Sequence, residues 1–402
     1  MEKRILVYTN HYDPEYFKIN DVVQWIYEKG TVVSVITGNP NYPSGKLFKG
    51  FSLLGSIETA KKGLTIYRLP LIPRGNGTKF RIVLNYLTYS LSTMVFTMWC
   101  LFFHKKYDTI FVHHTSPPLL FLPALFYKKI RKSKGILWDL DMWPQTLEAM
   151  GIVKSKQVIS LLEIVFKQFY KSFDKVLIGS KSFEKIASKR IPEHKICYFP
   201  NWADHIFETL SLKINPPKPE DKIIITYTGN IGEAQGFKVL IEAIKASGKN
   251  NIEFNFVGSG RYKKQLQKLV SENNLESSII FFDPVTSIDL IPFFEKTHYL
   301  YLSLKDTPLF FKTVPAKLQT YLATAKPIIS SISGEARDLL IENNCGFHVG
   351  AGDKNGLIDV FEKLDQVSFV DYKRFSKNSH KLFKTQFSSF KRKKQLADIL
   401  FE

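Results

Sequence analysis

Cysteine and acidic side chains are both sparse in this chain of 402 residues. Its three cysteines, Cys100, Cys197 and Cys345, are widely spaced, so they form neither a disulfide framework nor a zinc pattern, which fits a reducing compartment. The first ten residues lack the apolar core and the small-residue cleavage site of a secretory signal, and we expect none. No short-period repeat or low-complexity tract occurs, and an apolar content of 44% excludes disorder.

Basic residues outnumber acidic ones, and the excess is uneven along the chain. The net charge is +15 over residues 1–200, −3 over 201–372 and +7 over 373–402. Fields of this kind attract nucleic acid, anionic lipid headgroups or pyrophosphate-bearing substrates. The alternative is a lysine-rich surface that reflects only an AT-rich genome.

Short β-rich apolar runs alternate with helical stretches from end to end. In the first half the predicted strands are Ile5–Thr9, Thr31–Thr37, Leu64–Leu69, Thr109–His113, Gly135–Leu140, Lys175–Gly179 and Lys195–Phe199. In the second half they are Ile223–Thr228, Ile252–Val257, Ile279–Phe282, His298–Ser303 and Pro327–Ser331. Such alternation indicates parallel sheets covered by helices on both faces.

A proline-bearing stretch over residues 201–221, with Pro216, Pro217 and Pro219, separates the two runs of strands. A chain of this length is comfortable with two cores. We therefore predict an α/β fold of two doubly wound, Rossmann-like domains, over residues 1–204 and 205–380, with ligands at the carboxyl ends of the strands.

One segment, Ile82–Phe103, runs for 22 residues without a charge and is long enough to span a bilayer. It lies, however, between two predicted strands of one domain, which a span would place on opposite sides of the membrane. It also carries several Ser, Thr and Asn residues, and lysines and arginines flank it. We therefore predict a helix that dips into the lipid interface as a monotopic contact with anionic headgroups.

Three predicted turns of the second half have features suited to an anion. The first is Tyr227–Phe237, a strand end followed by a glycine-bearing turn and a helix beginning near Gly236. The second contains Gly258 and is followed by Arg261. The third precedes a helix with Pro315 at its start and Lys317 in its first turn, where a cation is disfavoured unless an anion is near. Together they indicate a nucleoside diphosphate, although glycine turns also serve geometry alone and Lys317 could be an ordinary surface lysine.

Asp139 and Asp141 lie at the end of a predicted strand at i and i+2, where both carboxylates could reach one cation. We prefer Asp141 as the residue that orients or deprotonates an acceptor hydroxyl, with a helix-capping role as the alternative.

Four further side chains of the first half are acceptor-binding candidates. They are Asn20, Tyr42, His114 and Trp143. The alternatives are helix capping for Asn20, a hydrogen-bonded structural state for His114, and core packing for the two aromatic side chains.

Several ordered segments resemble family 4 of the retaining glycosyltransferases, in its bacterial O-antigen, capsule and colanic-acid branch, which includes L-fucosamine and fucosyl transferases. The matching segments are Asp13–Glu15, Ile19–Asp21, Val35–Lys46, Leu69–Gly75, Leu84–Tyr86, Asp141–Pro144, Pro200–Ala203, Gly229–Gln235 and Val314–Gln319. The resemblance implies the GT-B fold, with two facing Rossmann-like domains and a C-terminal basic helix, expected over 381–402, that returns to the first domain.

The turns and the resemblance together give eight donor-binding candidates. They are Gly232, Gln235, Gly258, Arg261, Val285, Thr313, Val314 and Lys317. Of these, Lys317 is also assigned a catalytic role beside Asp141. The resemblance further implies a nucleobase contact near Asp283–Val285.

The chain departs from the broad family at several positions. Two glutamates that grip the donor sugar and ribose in the family align with Lys312 and Thr320, and two phosphate-clamping cations align with Asn230 and Gln235. Gln145 stands where the branch has an acid. The donor therefore cannot be inferred from relatives that keep the glutamates.

The sequence hypothesis is a hexosyl-type, metal-independent glycosyltransferase without a cofactor. It would transfer a sugar from a nucleotide sugar, with UDP favoured, to a polyprenyl-diphosphate-linked glycan at the cytoplasmic face of the plasma membrane. One alternative is a noncatalytic paralogue that binds nucleotide sugar. Another is a nucleic-acid-binding protein, although no nucleic-acid module is recognised.

Overall fold

The computed structural model describes residues 2–115, 118–149, 153–210, 214–218, 221–308 and 310–401. Parts of the predicted linker, including Pro219, lie outside these residues. The chain divides into two compact units. The first contains the residues up to Phe199 and the chain end from Gln395, and the second runs from Pro200 to Lys394.

The first unit is built on an eight-stranded sheet. Its strands are β1 (Arg4–Thr9), β2 (Val32–Gly38), β3 (Ser56–Lys61), β4 (Leu64–Leu69), β5 (Thr109–His114), β6 (Lys134–Asp139), β7 (Lys175–Ile178) and β8 (Ile196–Tyr198). The order is β3-β4-β2-β1-β5-β6-β7-β8, and every pairing is parallel except that of β3 with β4. The central strands are nearly continuous apolar runs because helices cover both faces.

Helices lie between the strands of the first unit in the described residues up to Phe199. They are α1 (Ile19–Glu28), α2 (Lys79–Phe103), α3 (Phe121–Arg131), α4 (Gln145–Ala149), α5 (Lys156–Lys171) and α6 (Glu184–Ala187). The strand order reverses direction between β1 and β5, which is where open α/β sheets bind ligands.

The second unit is built on a six-stranded sheet that is parallel throughout. Its strands are β9 (Ile223–Thr228), β10 (Ile252–Val257), β11 (Ile279–Phe282), β12 (Tyr299–Ser303), β13 (Ile328–Ser331) and β14 (Gly346–Val349). The order is β11-β10-β9-β12-β13-β14, so the reversal falls between β9 and β12.

Helices connect these strands and continue to the end of the chain. They are α7 (His205–Glu208), α8 (Phe237–Ser247), α9 (Lys263–Glu272), α10 (Ile291–Lys296), α11 (Ala316–Ala323), α12 (Glu335–Glu342), α13 (Lys354–Lys363), α14 (Phe369–Leu382) and α15 (Ser389–Phe401). A π-helical turn, Phe383–Phe387, joins the last two.

The chain end returns to the first unit, but later than expected. Leu382, Phe383 and Phe387 belong to the core of the second unit, and Ser389 Oγ donates to Glu208 Oε2 at 2.6 Å. From Gln395 onward the chain packs on the first unit, where Gln395 Nε2 donates to the Tyr198 carbonyl at 2.9 Å. The returning segment is thus 395–402 rather than 381–402, and the first break follows Phe199 rather than residue 204.

Helix α2 has an unusual distribution of side chains. Its buried face carries Asn85, Tyr89, Thr93, Thr97 and Cys100, several of which hydrogen-bond to the sheet or to neighbouring turns. Its outward row is exposed and apolar, with Phe80, Val83, Leu87, Leu91, Val95, Met98 and Phe102. Small polar groups therefore face the protein and large apolar groups face outward, which is the reverse of an ordinary surface helix.

Candidate active site

The glycine-bearing turn of the second unit follows β9, at the point where the strand order reverses. It contains a short 3₁₀ turn, Glu233–Gln235, and leads through Gly236 into α8. The Lys305 amide, just beyond β12, donates to the Ala234 carbonyl at 2.8 Å. The turn therefore lies at the carboxyl ends of both central strands, where the sequence predicted a donor site.

Most amides of this turn are engaged within the protein. Gly229 N donates to the Val257 carbonyl at 2.8 Å, and Ile231 N donates to the Ser259 carbonyl at 2.7 Å. Gly232 N donates to Oε1 of the buried Gln235 at 2.9 Å. The expectation that turn amides face a diphosphate needs correction at these positions, because their hydrogens already have acceptors. Gln235 stabilises the turn itself.

Gly258 has a packing role in this arrangement. A Cβ at Gly258 would lie 2.0 Å from the Gly229 carbonyl oxygen, and the residue has a φ of +152°. Only glycine permits the turns after β9 and β10 to approach this closely. Gly258 thereby fixes the shape of the first turn.

Lys317 is a largely buried cation beside this turn. Helix α11 is held beneath β9 by the buried Tyr321, whose hydroxyl accepts from Thr228 N at 2.9 Å. One turn earlier on the same face, Lys317 Nζ lies 4.8 Å from the centre of the Tyr227 ring. A Cβ at Gly229 would lie 3.1 Å from Lys317 Cε, so the side chain packs directly against the glycine turn.

The charge of Lys317 has no carboxylate partner in the described part of the chain. Burial alone lowers its pKa to about 8, so the ammonium form still predominates at neutral pH. A largely buried cation with only a ring face beside it is suited to receive an anion.

The other donor candidates lie on the same unit. Arg261 and Val285 are exposed, after β10 and β11 respectively, and Asp283 pairs with Lys263 at 3.0 Å. Thr313 and Val314 are partly buried immediately before α11, and Pro315 is the N-cap of that helix, as predicted.

Asp139, and not Asp141, is the fully buried carboxylate after β6. Its Oδ1 accepts from His114 Nδ1 at 2.8 Å and from the amides of Asp141 and Met142 at 3.0 and 2.9 Å. Its Oδ2 accepts from the Tyr170 hydroxyl. Burial opposes its ionisation, but the interactions with His114, Tyr170 and the Met142 amide together outweigh it and lower the pKa of Asp139 to about 2.

These contacts concern two alternatives from the sequence: a cation bound by Asp139 and Asp141, and helix capping by Asp141. Both oxygens of Asp139 are committed, and the described residues contain no group of three potential metal ligands. Asp139, rather than Asp141, accepts the backbone amides at the start of this loop, and Asp141 is partly buried.

His114 and Trp143 have structural surroundings. His114 is 1% exposed, and its Nδ1 is bound to Asp139, which matches the structural alternative. Trp143 packs on the core, and its carbonyl accepts from Arg190 Nη2 at 2.8 Å. Gln145 bridges Arg190 and Glu163, so this position supports the loop.

Asn20 and Tyr42 border a polar cluster at the carboxyl ends of β1, β2 and β4. Asn20 Nδ2 donates to the Glu15 carbonyl at 2.9 Å, and the Tyr42 ring is 42% exposed. The cluster itself consists of His11, Glu15 and Arg74, which the sequence did not single out. The available signal was their place in, or beside, the segments Asp13–Glu15 and Leu69–Gly75.

Comparisons with known proteins agree with this architecture. The profile of the family described as Glycosyl transferases group 1 matches residues 211–382. A protein of Escherichia coli K12 named as the colanic acid biosynthesis glycosyl transferase WcaI is 26% identical over 80% of this chain and 81% of its own. A Pseudomonas aeruginosa protein named as the glycosyltransferase WbjE is 22% identical over 62% of this chain and 64% of its own.

The match over residues 211–382 and the two relatives together support a glycosyltransferase of the family 4 type. The fold of the chain is GT-B, as predicted. Sucrose-phosphate synthase from Thermosynechococcus elongatus superimposes with a TM-score of 0.72 at 14% identity, over 99% of this chain and 98% of that one. Anabaena Alr3699/HepE, solved in complex with UDP, superimposes with a TM-score of 0.69 at 12% identity, over 99% of both chains.

The two residues that align with the glutamates of the family, Lys312 and Thr320, differ in exposure. Lys312 is exposed in the 3₁₀ turn Phe310–Lys312, and Thr320 is partly buried on α11. Neither of these two positions carries a carboxylate.

Proposed function

We propose that this glycosyltransferase transfers a hexosyl-type sugar, with retention, from a nucleoside-diphosphate sugar to a lipid-diphosphate-linked glycan. The process would be the synthesis of a bacterial surface polysaccharide such as O-antigen or capsule. The single observation that carries the donor part is Lys317, a largely buried ammonium group packed on the glycine turn after β9 without a carboxylate partner.

The chemical demand is the departure of a nucleoside diphosphate while positive charge develops on the sugar. A cation already fixed beside the leaving group stabilises that charge separation without reorganising water. Because its pKa of about 8 lies above neutrality, Lys317 is mostly protonated at pH 7 and can fill this role. Asp141 is the residue proposed to orient or deprotonate the acceptor hydroxyl, and no metal step is required.

UDP is the favoured nucleotide. Support comes from Alr3699/HepE, a chain of the same fold that was solved with UDP. The relative named for colanic acid biosynthesis supports the process, and the relative named as a glycosyltransferase supports the reaction.

A direct test compares Lys317→Met with Lys238→Met in transfer from a panel of UDP-, GDP- and dTDP-sugars to a polyprenyl-diphosphate-linked glycan. Lys238 is an exposed lysine of α8, so its variant controls for lost charge. We expect Lys317→Met to lower kcat/KM about 10²- to 10³-fold and Lys238→Met to leave it within about twofold. Equal activity of wild type and Lys317→Met would remove the donor assignment.

A noncatalytic nucleotide-sugar-binding paralogue is the second candidate, because Lys312 and Thr320 replace the two acids. The same panel separates the candidates. Binding of UDP by wild type without transfer from any sugar would favour the paralogue.

The proposed location is the cytoplasmic face of the plasma membrane. Helix α2 is the one helix in the described residues that is long and apolar enough to cross a bilayer, and only 22% of its most apolar window is buried. Exposed apolar residues continue onto the adjacent α3, at Leu122, Phe126 and Ile130, and onto α5, at Leu161 and Ile164. An apolar surface of this extent on one unit favours a monotopic contact with lipid.

Basic residues border this apolar surface. A pocket between the end of α3 and the start of β6 is lined mostly by lysines. Its lining residues are Lys128, Lys129, Lys132, Ser133, Lys134 and Asp174. Arg131 ties this region to the end of α2 by donating to the His104 carbonyl at 3.2 Å. Positive charge beside exposed apolar side chains is suited to anionic headgroups.

The membrane contact is tested by flotation with vesicles that contain an anionic phospholipid. Leu91, 68% exposed on α2, is compared with Ile288, 59% exposed on the second unit. We expect Leu91→Glu to weaken vesicle binding about tenfold and Ile288→Glu to have no effect. Equal binding by both variants would contradict the placement of α2 at the interface.

A further inference from the structure

The polar cluster of the first unit begins with a buried acid. Glu15 is 2% exposed, and its Oε1 accepts from the amides of Asn41 and Tyr42 at 2.7 and 2.6 Å. These bonds fix the loop after β2. The other carboxylate oxygen, Oε2, accepts from His11 Nδ1 at 2.5 Å.

This hydrogen bond sets the state of His11, which is 3% exposed. With the proton on Nδ1, the lone pair of Nε2 is free to accept, and Arg74 Nη2 donates to it at 3.1 Å. The Glu15 carboxylate thus orients the His11 imidazole, and the imidazole in turn positions the Arg74 guanidinium. Phe17 stacks on the His11 ring at 4.5 Å and 8°, which fixes the ring plane.

Two tyrosine rings, one from the loop after β2 and one from α2, pack against the Arg74 guanidinium. The carbon of the Arg74 guanidinium lies 5.4 Å from the Tyr42 ring centre and 5.3 Å from the Tyr86 ring centre. Arg74 N donates to Asn41 Oδ1 at 3.3 Å. The backbone is fixed as well, because Gly75 N donates to the Gly45 carbonyl at 2.8 Å, and a Cβ at Gly45 would lie 1.8 Å from the Gly75 carbonyl oxygen.

Some hydrogen-bond donors of the Arg74 guanidinium have no acceptor among the described residues. Its Nε is buried and has no hydrogen-bond partner among the described residues, and Nη2 supplies both of its hydrogen bonds, to His11 and to Tyr86. No carboxylate of the described chain lies within ion-pair distance of the guanidinium. A buried donor without an acceptor is costly, so its presence calls for a ligand.

A second buried nitrogen, Nε2 of His113, also has no hydrogen-bond partner among the described residues. His113, at the end of β5, is 1% exposed; its Nδ1 bonds to Thr9 Oγ1 at 2.9 Å, while its Nε2 has no partner in the part of the chain described. Burial and the neighbouring His11 lower the pKa of His113 to about 3, so the ring is neutral. His113 belongs to β5, at the β1–β5 reversal, and Arg74 reaches the segment after β1 through its hydrogen bond to His11.

We propose that Arg74, positioned by His11 and Glu15, is an oxyanion-binding residue of the first unit that receives the diphosphate of the lipid-linked acceptor. A guanidinium fork with free donors matches phosphate oxygens in geometry and charge. The apolar surface of α2, the helix that carries Tyr86, is suited to the lipid attached to that diphosphate. This assignment rests on the proposed function, since it names the group by which the acceptor is held.

The test is calorimetry on the full chain with UDP present at saturation, so that the donor site is filled. The titrants are farnesyl diphosphate, inorganic pyrophosphate and farnesol. We expect wild type to bind both diphosphates and Arg74→Gln to bind each about tenfold or more weakly. Arg74→Lys, which keeps the charge but not the fork, is expected to be intermediate.

Arg81→Gln is the matched control, because Arg81 is exposed on the first turn of α2 and the same substitution removes the same charge there. It should bind both diphosphates as wild type does. In transfer assays Arg74→Gln should raise the KM for the acceptor, while the KM for the donor and the UDP-induced rise in Tm stay unchanged.

Three results would overturn the assignment. One is equal affinity of wild type and Arg74→Gln for farnesyl diphosphate. Another is a loss confined to inorganic pyrophosphate, which would mark a site for free anions. The third is equal weakening by Arg81→Gln, which would mean that only the field matters. Failure of wild type to respond to UDP would instead count against the proposed function itself.

Discussion

The two units each bury a charged side chain near the carboxyl edge of their sheet, and they treat it in opposite ways. In the first unit Asp139 has four hydrogen-bond donors, from His114, Tyr170 and two amides, and its pKa falls to about 2 despite burial, because His114 favours the charged form. In the second unit Lys317 has only the Tyr227 ring, and burial lowers its pKa to about 8. A charge satisfied from within stabilises its own fold, whereas a charge left open has a stability cost that a ligand can remove.

The largest expected effect on the free energy of unfolding comes from removing the Asp139 carboxylate. Asp139→Ala leaves two amides, a buried imidazole and a tyrosine hydroxyl without their acceptor, so the free energy of unfolding should fall by about 3–5 kcal/mol. Urea unfolding followed by circular dichroism measures it. Asp141→Ala is the control and should cost less than about 1 kcal/mol, although we expect it to lose transfer activity. Equal stability of the two variants would mean that Asp139 is not the structural acid.

The next effect concerns the close contact between the turns after β9 and β10. Gly258→Ala places a Cβ against the Gly229 carbonyl, and backbone cannot move aside as a side chain can. We expect a loss of about 2–3 kcal/mol in unfolding free energy and a weaker UDP-induced rise in Tm. Gly248→Ala, at φ +62° with no atom within 4 Å of the added carbon, is the matched control. Its cost should be about 1 kcal/mol, with the UDP response intact.

The smallest effect has the opposite sign. In the unliganded chain Lys317→Met should raise the free energy of unfolding by about 2 kcal/mol at pH 7, because it removes a desolvated charge. The folded pKa of about 8 lies below the ordinary 10.5, so between these values the unfolded chain binds more protons. Wild-type stability should therefore rise with pH through this window, and the advantage of the variant should shrink. A stability of Lys317→Met below that of wild type at pH 7 would contradict an uncompensated charge.

The sequence was sufficient for the alternation of strands and helices, since apolar β-branched runs and glycine turns are local signals. It missed β3, whose residues Ser56–Lys61 are all exposed, and β14, which has little apolar character at Gly346–Val349. Neither strand has the buried apolar run from which the others were recognised.

The site was predicted less completely than the fold. Lys317 was identified because a lysine in the first turn of a helix opposes the helix dipole, and that anomaly is visible in the sequence. The structural role of Asp139 was not predictable, because it depends on Tyr170 and His114, which other elements bring to this acid. Arg74 was missed for the same reason: its partners come from the segments after β1 and β2 and from α2.

The reversed faces of α2 have one more consequence. Its buried face is attached by hydrogen bonds from Asn85 and Tyr89 and by packing of Tyr89 and Cys100 in the core, while its outer row is exposed. Residence time on a bilayer can thus be adjusted by substitutions along the outer row without loosening the helix from its sheet. Anchoring strength and fold stability become independently adjustable properties of the same twenty-five residues.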